Sequence, residues 1–464
     1  MNPVADGEGV KWSHWGREAF TRARDERKPI LLSIVASWSA GCREMDRVSY
    51  ADAATAALIN LRAIPIRVDA DERPDVADRY DLGGLPTTAF LDADGRLLGG
   101  GTFVPPERLR TALERVTQVG RPSPEWSPAS AGSPTTDSEL FDLVFTSFDE
   151  VNGGFGDAPK FPLVPPVRLA IDLYAEWHDD HLREIATRTL DAMGWGPLYD
   201  EENGGFFRCA ERTDWTNPQR EKLLSINTGM LDLYVRAGAV LGEERFLARA
   251  ADLVRYIEGR LSVAGGAWRA SDGGHGAHQF SDANAQAASA MLQAAGVFED
   301  DRLGQRALDG FERVLLSSYK PGDGVGHHAG GARGLLGDQA AMAAASLDAW
   351  EATGRMPYRM MAEELMHYAM RTMWDDGGGF RDRAADEHEP VVPGVRPFLL
   401  NCDAAVVLQR LAVATGDHVF AERAATTLEA VAPRAAEFGP LAASYLLARR
   451  ETQNSELRTQ NRLP

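Results

Sequence analysis

Carboxylates are the commonest side chains here that could carry chemistry. Asp282, Asp338 and Asp403 stand in motifs that open Ala- and Leu-rich segments, while Asp200 and Asp375 adjoin Gly-rich turns and Glu221 precedes another such segment. Two carboxylates across a cleft can cleave a glycosidic bond, and paired imidazoles can remove a proton beside a carbonyl. An Asp at a helix start also serves as an N-cap, accepting a bond from an orphan backbone N–H, and that reading stands beside the first. The histidines His275, His278, His327 and His328 fall in the runs G-G-H-G-A-H and G-V-G-H-H. Such loops place a His in solvent, and His-x-x-His brings no evident third ligand. No metal site and no cofactor is expected.

Flat aromatic faces stack on the C–H face of a pyranose. Phe155, Tyr199, Phe206, Trp268 and Phe380 recur at matching places in the repeated loops and are candidate sugar platforms, as are Phe161, Phe207 and Trp374; packing one hairpin on the next would use the same residues. Three cysteines, Cys42, Cys209 and Cys402, lie far apart. That spacing excludes a disulfide scaffold or cysteine-rich zinc site and fits a reducing compartment.

The elements that must position these residues come in two blocks. From Pro29 to Ala36 the chain reads as a buried strand, and Ser39 suits the cap of a following helix. Further strands are predicted at Ala63 to Val68, Thr87 to Leu91 and Arg96 to Phe103, with the loop Gly83-Gly84-Leu85-Pro86 between and a helix from Pro106 to about Val119. Residues 120–136, rich in Pro, Ser and Gly, read as a linker.

Beyond it the text repeats. Turns at Gly153-Gly154-Phe155, Gly204-Gly205-Phe206 and Gly378-Gly379-Phe380, with variants at Gly265-Gly266-Ala267-Trp268 and Gly322-Asp323-Gly324, are spaced 51, 61, 57 and 56 residues apart. Asn227-Thr228, Asp282-Ala283-Asn284, Asp338-Gln339 and Asn401-Cys402-Asp403 follow the later turns and open helical segments. Two helices per period means hairpins that stack or close, since one hairpin alone cannot bury its apolar face. The predicted organisation is a domain at 1–119, the linker, an α/α toroid of about six hairpins at 137–450, and a polar tail at 451–464.

Charge narrows the partners. A formal net charge of −19 repels phosphate backbones and anionic membrane surfaces, so neither nucleic acid nor membrane is expected. The first residues lack the basic and apolar regions of a signal peptide, and the expected location is cytoplasmic.

The amino-terminal block, with its Gly-Leu-Pro-Thr loop, resembles the thioredoxin fold; there the loop proline is cis, which assigns that role to Pro86. More specifically, Trp12, Trp15, Lys28-Pro29-Ile30-Leu31-Leu32-Ser33, Glu72-Arg73-Pro74, Gly153-Gly154-Phe155-Gly156, Ala158-Pro159-Lys160-Phe161-Pro162, Gly204-Gly205-Phe206, Arg208 and Glu221-Lys222 resemble the spermatogenesis-associated protein 20 family. The resemblance implies a thioredoxin-like domain joined to a toroid similar to those of N-acylglucosamine 2-epimerases and six-hairpin glycosidases. Where that family carries Cys-His-Trp-Cys-His, this chain reads Ser39-Ala40-Gly41-Cys42-Arg43, so a hydroxyl replaces the attacking thiol and Cys42 stands alone. Where relatives carry Pro-His-Phe-Glu-Lys-Met-Leu-Tyr-Asp-Asn, Gln219 and Ile226 replace the His and the Asp, leaving Glu221 and Lys222. As helical neighbours those two would point about 100° apart.

The functional expectation is a carbohydrate-binding or carbohydrate-transforming protein whose ligand, a sugar or sugar phosphate, sits in the toroid funnel. Catalytic candidates are Glu221, Asp282, Asp338, Asp403 and, at the degenerate redox position, Cys42. Substrate-binding candidates are Phe155, Lys160, Tyr199, Phe206, Arg208, Lys222, Asn227, Trp268, Asn284, Gln339 and Phe380. A thiol oxidoreductase using Cys42 alone and a non-catalytic scaffold are the rival readings.

Overall fold

The computed structural model describes residues 9–119, 136–273, 278–390, 392 and 394–460. It divides into two compact units, one of Met1–Ser130 with Ala385–Val395 and one of Ala131–Ala384 with Arg396–Pro464. The linker expected at 120–136 lies, apart from Thr136, outside the described residues, as does His275.

Unit one runs α1 (Arg17–Glu26), β1 (Ile30–Val35), α2 (Ala40–Met45), α3 (Ala53–Arg62), β2 (Ile64–Asp69), α4 (Pro74–Arg79), β3 (Thr87–Leu91), β4 (Leu97–Gly101) and α5 (Pro106–Val119). The sheet order is β2-β1-β3-β4, with β1 parallel to β2 and antiparallel to β3. Every residue of β1 is buried, as a central strand covered on both faces requires. One face packs Ile30, Leu32 and Ile34 with Phe20, Val76 and Tyr80; the other packs Leu31 and Phe90 with Met45, Ile59, Leu109 and Leu113. The Leu85–Pro86 peptide is cis.

Unit two is helical: α6 (Asp137–Thr146), α7 (Val164–Trp177), α8 (Asp180–Gly194), α9 (Leu224–Leu241), α10 (Glu244–Tyr256), α11 (Ser281–Phe298), α12 (Asp301–Ser318), α13 (Leu336–Thr353), α14 (Met356–Thr372), α15 (Phe398–Thr415), α16 (His418–Val431) and α17 (Ala443–Gln460). Contacts join α7, α9, α11, α13, α15 and α17 side by side and back to α7, which closes an inner ring. Helices α8, α10, α12, α14 and α16 each pack on the inner helix before them, and α6 lies against α17. The sixth hairpin is thus made from the two ends of the unit. Residues 451–460 of the expected tail at 451–464 continue α17, and 461–464 lie outside the described residues.

Alternation of inner and outer helices makes the inner six parallel. Their amino termini therefore gather at one mouth. Inner helices are rich in small residues, as in Ala285, Ala287, Ala288, Ala290 and Ala294 of α11, all buried, which lets neighbouring backbones approach closely. Ion pairs lace the ring: Arg236 to Asp172 at 2.7 Å, Arg168 to Asp232 at 3.8 Å and Arg410 to Asp348 at 2.7 Å. Only α15 is long and apolar enough to cross a membrane, among the described residues, and it is an inner helix packed between α13, α16 and α17.

Candidate functional site

Ser39 caps α2 by accepting the Cys42 N–H at 3.3 Å. The Cys42 sulfur in turn accepts the Ala36 N–H at 3.4 Å and is 2% exposed. Burial pushes its thiol pKa up, and the Ser39 contact offsets that only in part. A buried, protonated thiol is a poor nucleophile.

Most of the expected substrate-binding residues do structural work in the repeated loops. Asn227, at the fourth position of α9, accepts the Phe206 N–H at 2.7 Å and donates to the Phe206 and Leu223 carbonyls. Asn284 treats Trp268 and Phe280 in the same way, and Gln339 treats Val325 and Leu335 so. Asn401, whose amide clamps Phe380 and Pro397, completes the set. Each amide occupies the same place on its helix and pins the backbone one or two residues beyond a Gly-Gly or Gly-x-Gly turn. All four are buried and their amides are spent on the fold, which corrects the ligand role expected of Asn227, Asn284 and Gln339.

The aromatics follow suit. Phe155, Phe206, Trp268 and Phe380 are at most 2% exposed, and Tyr199 packs edge-on against Phe206 beneath the Arg249 guanidinium. None of these five leaves an open face for a pyranose, whereas Phe161 and Trp374 are half-buried. Lys160 is wholly buried, donating to Asp149 at 2.6 Å and to the Thr213 carbonyl at 2.9 Å, and Lys222 likewise joins Asp200 at 2.7 Å to the Gly204 carbonyl. Arg208 bonds Gln219 and lies over Phe161. Glu221 and Lys222 precede α9 instead of lying within it, with Lys222 in a short strand, so the helical geometry expected of the pair does not apply. Glu221 is half-buried.

What does converge is a cluster that the sequence suggested only in part. Asp282 is the second residue of α11 and Asp338 the third of the adjacent α13. His327 comes from the loop between α12 and α13, which is held to the start of α11 by the Ser281 N–H on the His327 carbonyl and the Ser281 hydroxyl on the Gly326 carbonyl, both at 2.7 Å. His327 Nδ1 lies 2.9 Å from Asp338 Oδ1 and 3.9 Å from Asp282 Oδ1. Expected in solvent, His327 is 2% exposed, its ring stacked 4.7 Å from that of Phe280. His278 and His328 stack on one another beside it at 4.0 Å.

Helix capping does not account for these aspartates. The N-cap residues of α11, α13 and α15 are Phe280, Leu335 and Pro397, none with a side-chain cap. Burial, with the Asp282 charge adding to it and His327 opposing, pushes the Asp338 carboxyl up to about 6. Asp338 Oδ2 is buried without a hydrogen-bond partner. Asp403, sixth in α15, is exposed to solvent yet crowded by protein, which raises it to about 6 against the opposing charge of Arg168. Two aspartates and a histidine therefore meet where two inner helices begin, and Asp403 stands within the first two turns of a third.

The Thioredox_DsbH family model, described as a protein of unknown function, DUF255, matches residues 4–123. Mouse spermatogenesis-associated protein 20 is 30% identical over 309 residues, which is 57% of this chain and 38% of that protein. The chain thus spans well under half the length of this relative. Among solved structures, cellobiose 2-epimerase from Bacillus thermoamylovorans superposes with a TM-score of 0.55 at 12% identity, covering 62% of this chain and 83% of that one. A sugar epimerase from a ruminal bacterium gives 0.54 at 16% identity, covering 62% and 82%. At such identities the likeness is one of fold. The chain thus joins a thioredoxin-like unit to a helical toroid with the fold of sugar epimerases, and it is similar to spermatogenesis-associated protein 20 over 57% of its length.

Proposed function

We propose that the toroid binds, and is equipped to transform, a carbohydrate at the mouth where its inner helices begin. The observation that carries the reading is the meeting of Asp282, His327 and Asp338 across two adjacent helix starts, three groups able to polarise hydroxyls or a carbonyl. Support for a sugar comes from the fold, which this chain shares with a cellobiose 2-epimerase and another sugar epimerase. Asp403 is a further carboxylate for the same ligand, and the convergent helix amino termini favour an anionic substituent such as a phosphate or acid group. The thioredoxin-like unit, with Ser39 in place of a thiol and Cys42 buried, performs no dithiol exchange in this reading.

Thermal shift against neutral sugars, sugar acids and sugar phosphates tests it. At least one should raise the melting temperature of the toroid, and Asp282→Asn, changing a half-buried residue, should abolish the rise while leaving the unliganded melt near that of the parent. A panel with no shift, or a shift that survives Asp282→Asn and Asp403→Asn together, would favour the scaffold reading. An insulin-reduction activity lost on Cys42→Ser would reinstate the oxidoreductase.

A further inference from the structure

We infer that Asp282, His327 and Asp338 form a binding site for a borderline divalent cation, of the zinc or manganese class. Their ligand atoms, one imidazole nitrogen and two carboxylate oxygens, lie within 4.8 Å of one another. Two donors bound about 2.1 Å from a common ion at tetrahedral or octahedral angles stand about 3.0 to 3.4 Å apart. Nδ1 of His327 and Oδ1 of Asp338, 2.9 Å apart and hydrogen-bonded to one another, are already close to that spacing, so a cation would take the place of the proton they share. Asp282, at 3.9 Å and with 31% of its side chain exposed, has room to close the remainder.

A second observation points the same way. Asp338 is 1% exposed and its Oδ2 makes no hydrogen bond of normal geometry, the Asp282 N–H being the backbone group that faces its carboxylate. Ligands are also held firmly from behind, the usual support of a metal site. The His327 N–H donates to the Ala332 carbonyl at 2.7 Å, its carbonyl accepts from Ser281, its ring lies on Phe280, and Asp282 Oδ1 accepts the Ala283 N–H at 2.7 Å. A mixed imidazole and carboxylate set is too hard for copper(I) and too nitrogen-rich for a calcium cage, hence the cation class. Three protein ligands on one side leave coordination positions for water or for two sugar hydroxyls. The inference shares the Asp282, His327 and Asp338 geometry with the carbohydrate reading and adds to it the buried Asp338 Oδ2.

The experiment is calorimetric titration of the chelator-treated full chain with zinc and with manganese, and cobalt(II) absorption as a second readout. One equivalent should bind, cobalt should give ligand-field bands of a low-symmetry nitrogen and oxygen site, and Asp282→Asn should weaken binding by at least about tenfold. His327→Gln should abolish it, and circular dichroism will show whether that variant folds; Asp282→Asn carries the test if it does not. Absence of stoichiometric binding, or binding unchanged in a folded Asp282→Asn, overturns the site. Sugar shifts measured with and without the cation keep the two readings apart: a sugar shift with no cation binding supports the sugar and opposes the metal, and cation binding with no sugar shift does the reverse.

Discussion

Lys160 shows how a residue chosen for its chemistry comes to serve the fold. Its ammonium is fully buried and satisfied by Asp149 and the Thr213 carbonyl, and it lies 4.9 Å from the centre of the Trp215 ring. Removing one partner of a buried pair strands the other, so Lys160→Met should cost about 3 kcal/mol in the urea unfolding of the toroid, and Lys160→Met with Asp149→Asn should recover part of it. The Lys222 and Asp200 pair adds a pH signature. Burial opposes ionisation of Asp200, but the Lys222 ammonium and the Asn203 N–H outweigh it and hold the carboxyl at about 2. Because the folded pKa lies below the unfolded value of about 3.9, this stabilisation is complete above about pH 5 and is lost as pH falls toward 2. Comparing urea midpoints at pH 5 and pH 3, the drop should be smaller in Lys222→Met than in the parent. Cys42 makes the opposite point, being a reactive residue type in an unreactive place. Ellman's reagent should label it slowly in the native chain and promptly in denaturant, since only unfolding exposes the sulfur.

At the scale of elements, the repeat is a loop clamped to the helix that follows it. Each of Asn227, Asn284, Gln339 and Asn401 ties the turn backbone to the first turn of an inner helix through three bonds. Asn284→Leu should therefore leave the Trp268 N–H and carbonyl unsatisfied and cost about 2 to 4 kcal/mol, whereas Asp403→Asn on an exposed face should cost less than about 0.5 kcal/mol. Thermal melts of the two variants decide it. The hairpins themselves were legible because Gly-Gly turns and Ala-rich helices recur at a near-constant interval. What the amides and aromatics do was not, since a buried clamp and a sugar contact draw on the same polar and flat side chains. His327 was misread for a related reason: Gly-rich flanks indicate a loop but carry no sign of whether another element covers it. The pairing of His327 with Asp338 depends on α11 and α13 being neighbours, and in sequence Asp282 and Asp338 are separated by a whole hairpin.

At the scale of the whole molecule, a linear reading of domains missed one feature. Ala385–Val395, part of the connection between α14 and α15, belongs to unit one although the segments on both sides belong to unit two. Composition could not reveal this, because a Pro-containing stretch between helices looks the same whether it caps its own hairpin or packs elsewhere. Its Glu389 accepts the Trp15 indole N–H at 2.9 Å and pairs at 3.0 Å with Arg73, which also holds Asp75. Val392 packs in the core of unit one, and the His388 carbonyl accepts the Arg17 N–H at 2.9 Å. Arg73 and Glu389 are only 15% and 18% exposed, so the pair sits where screening by water is weak. A fragment ending at residue 119 lacks the segment and leaves the Arg73 guanidinium and the Trp15 indole short of a partner. That fragment should melt below unit one within the full chain, and a synthetic peptide of residues 385–395 added in trans should raise its melting temperature by mass action. The same peptide with Glu389→Ala should give a clearly smaller rise, because the deletion removes both the ion pair and the indole acceptor. Equal rises with the two peptides would mean that Val392 and the backbone bonds, and not Glu389, hold the segment in place.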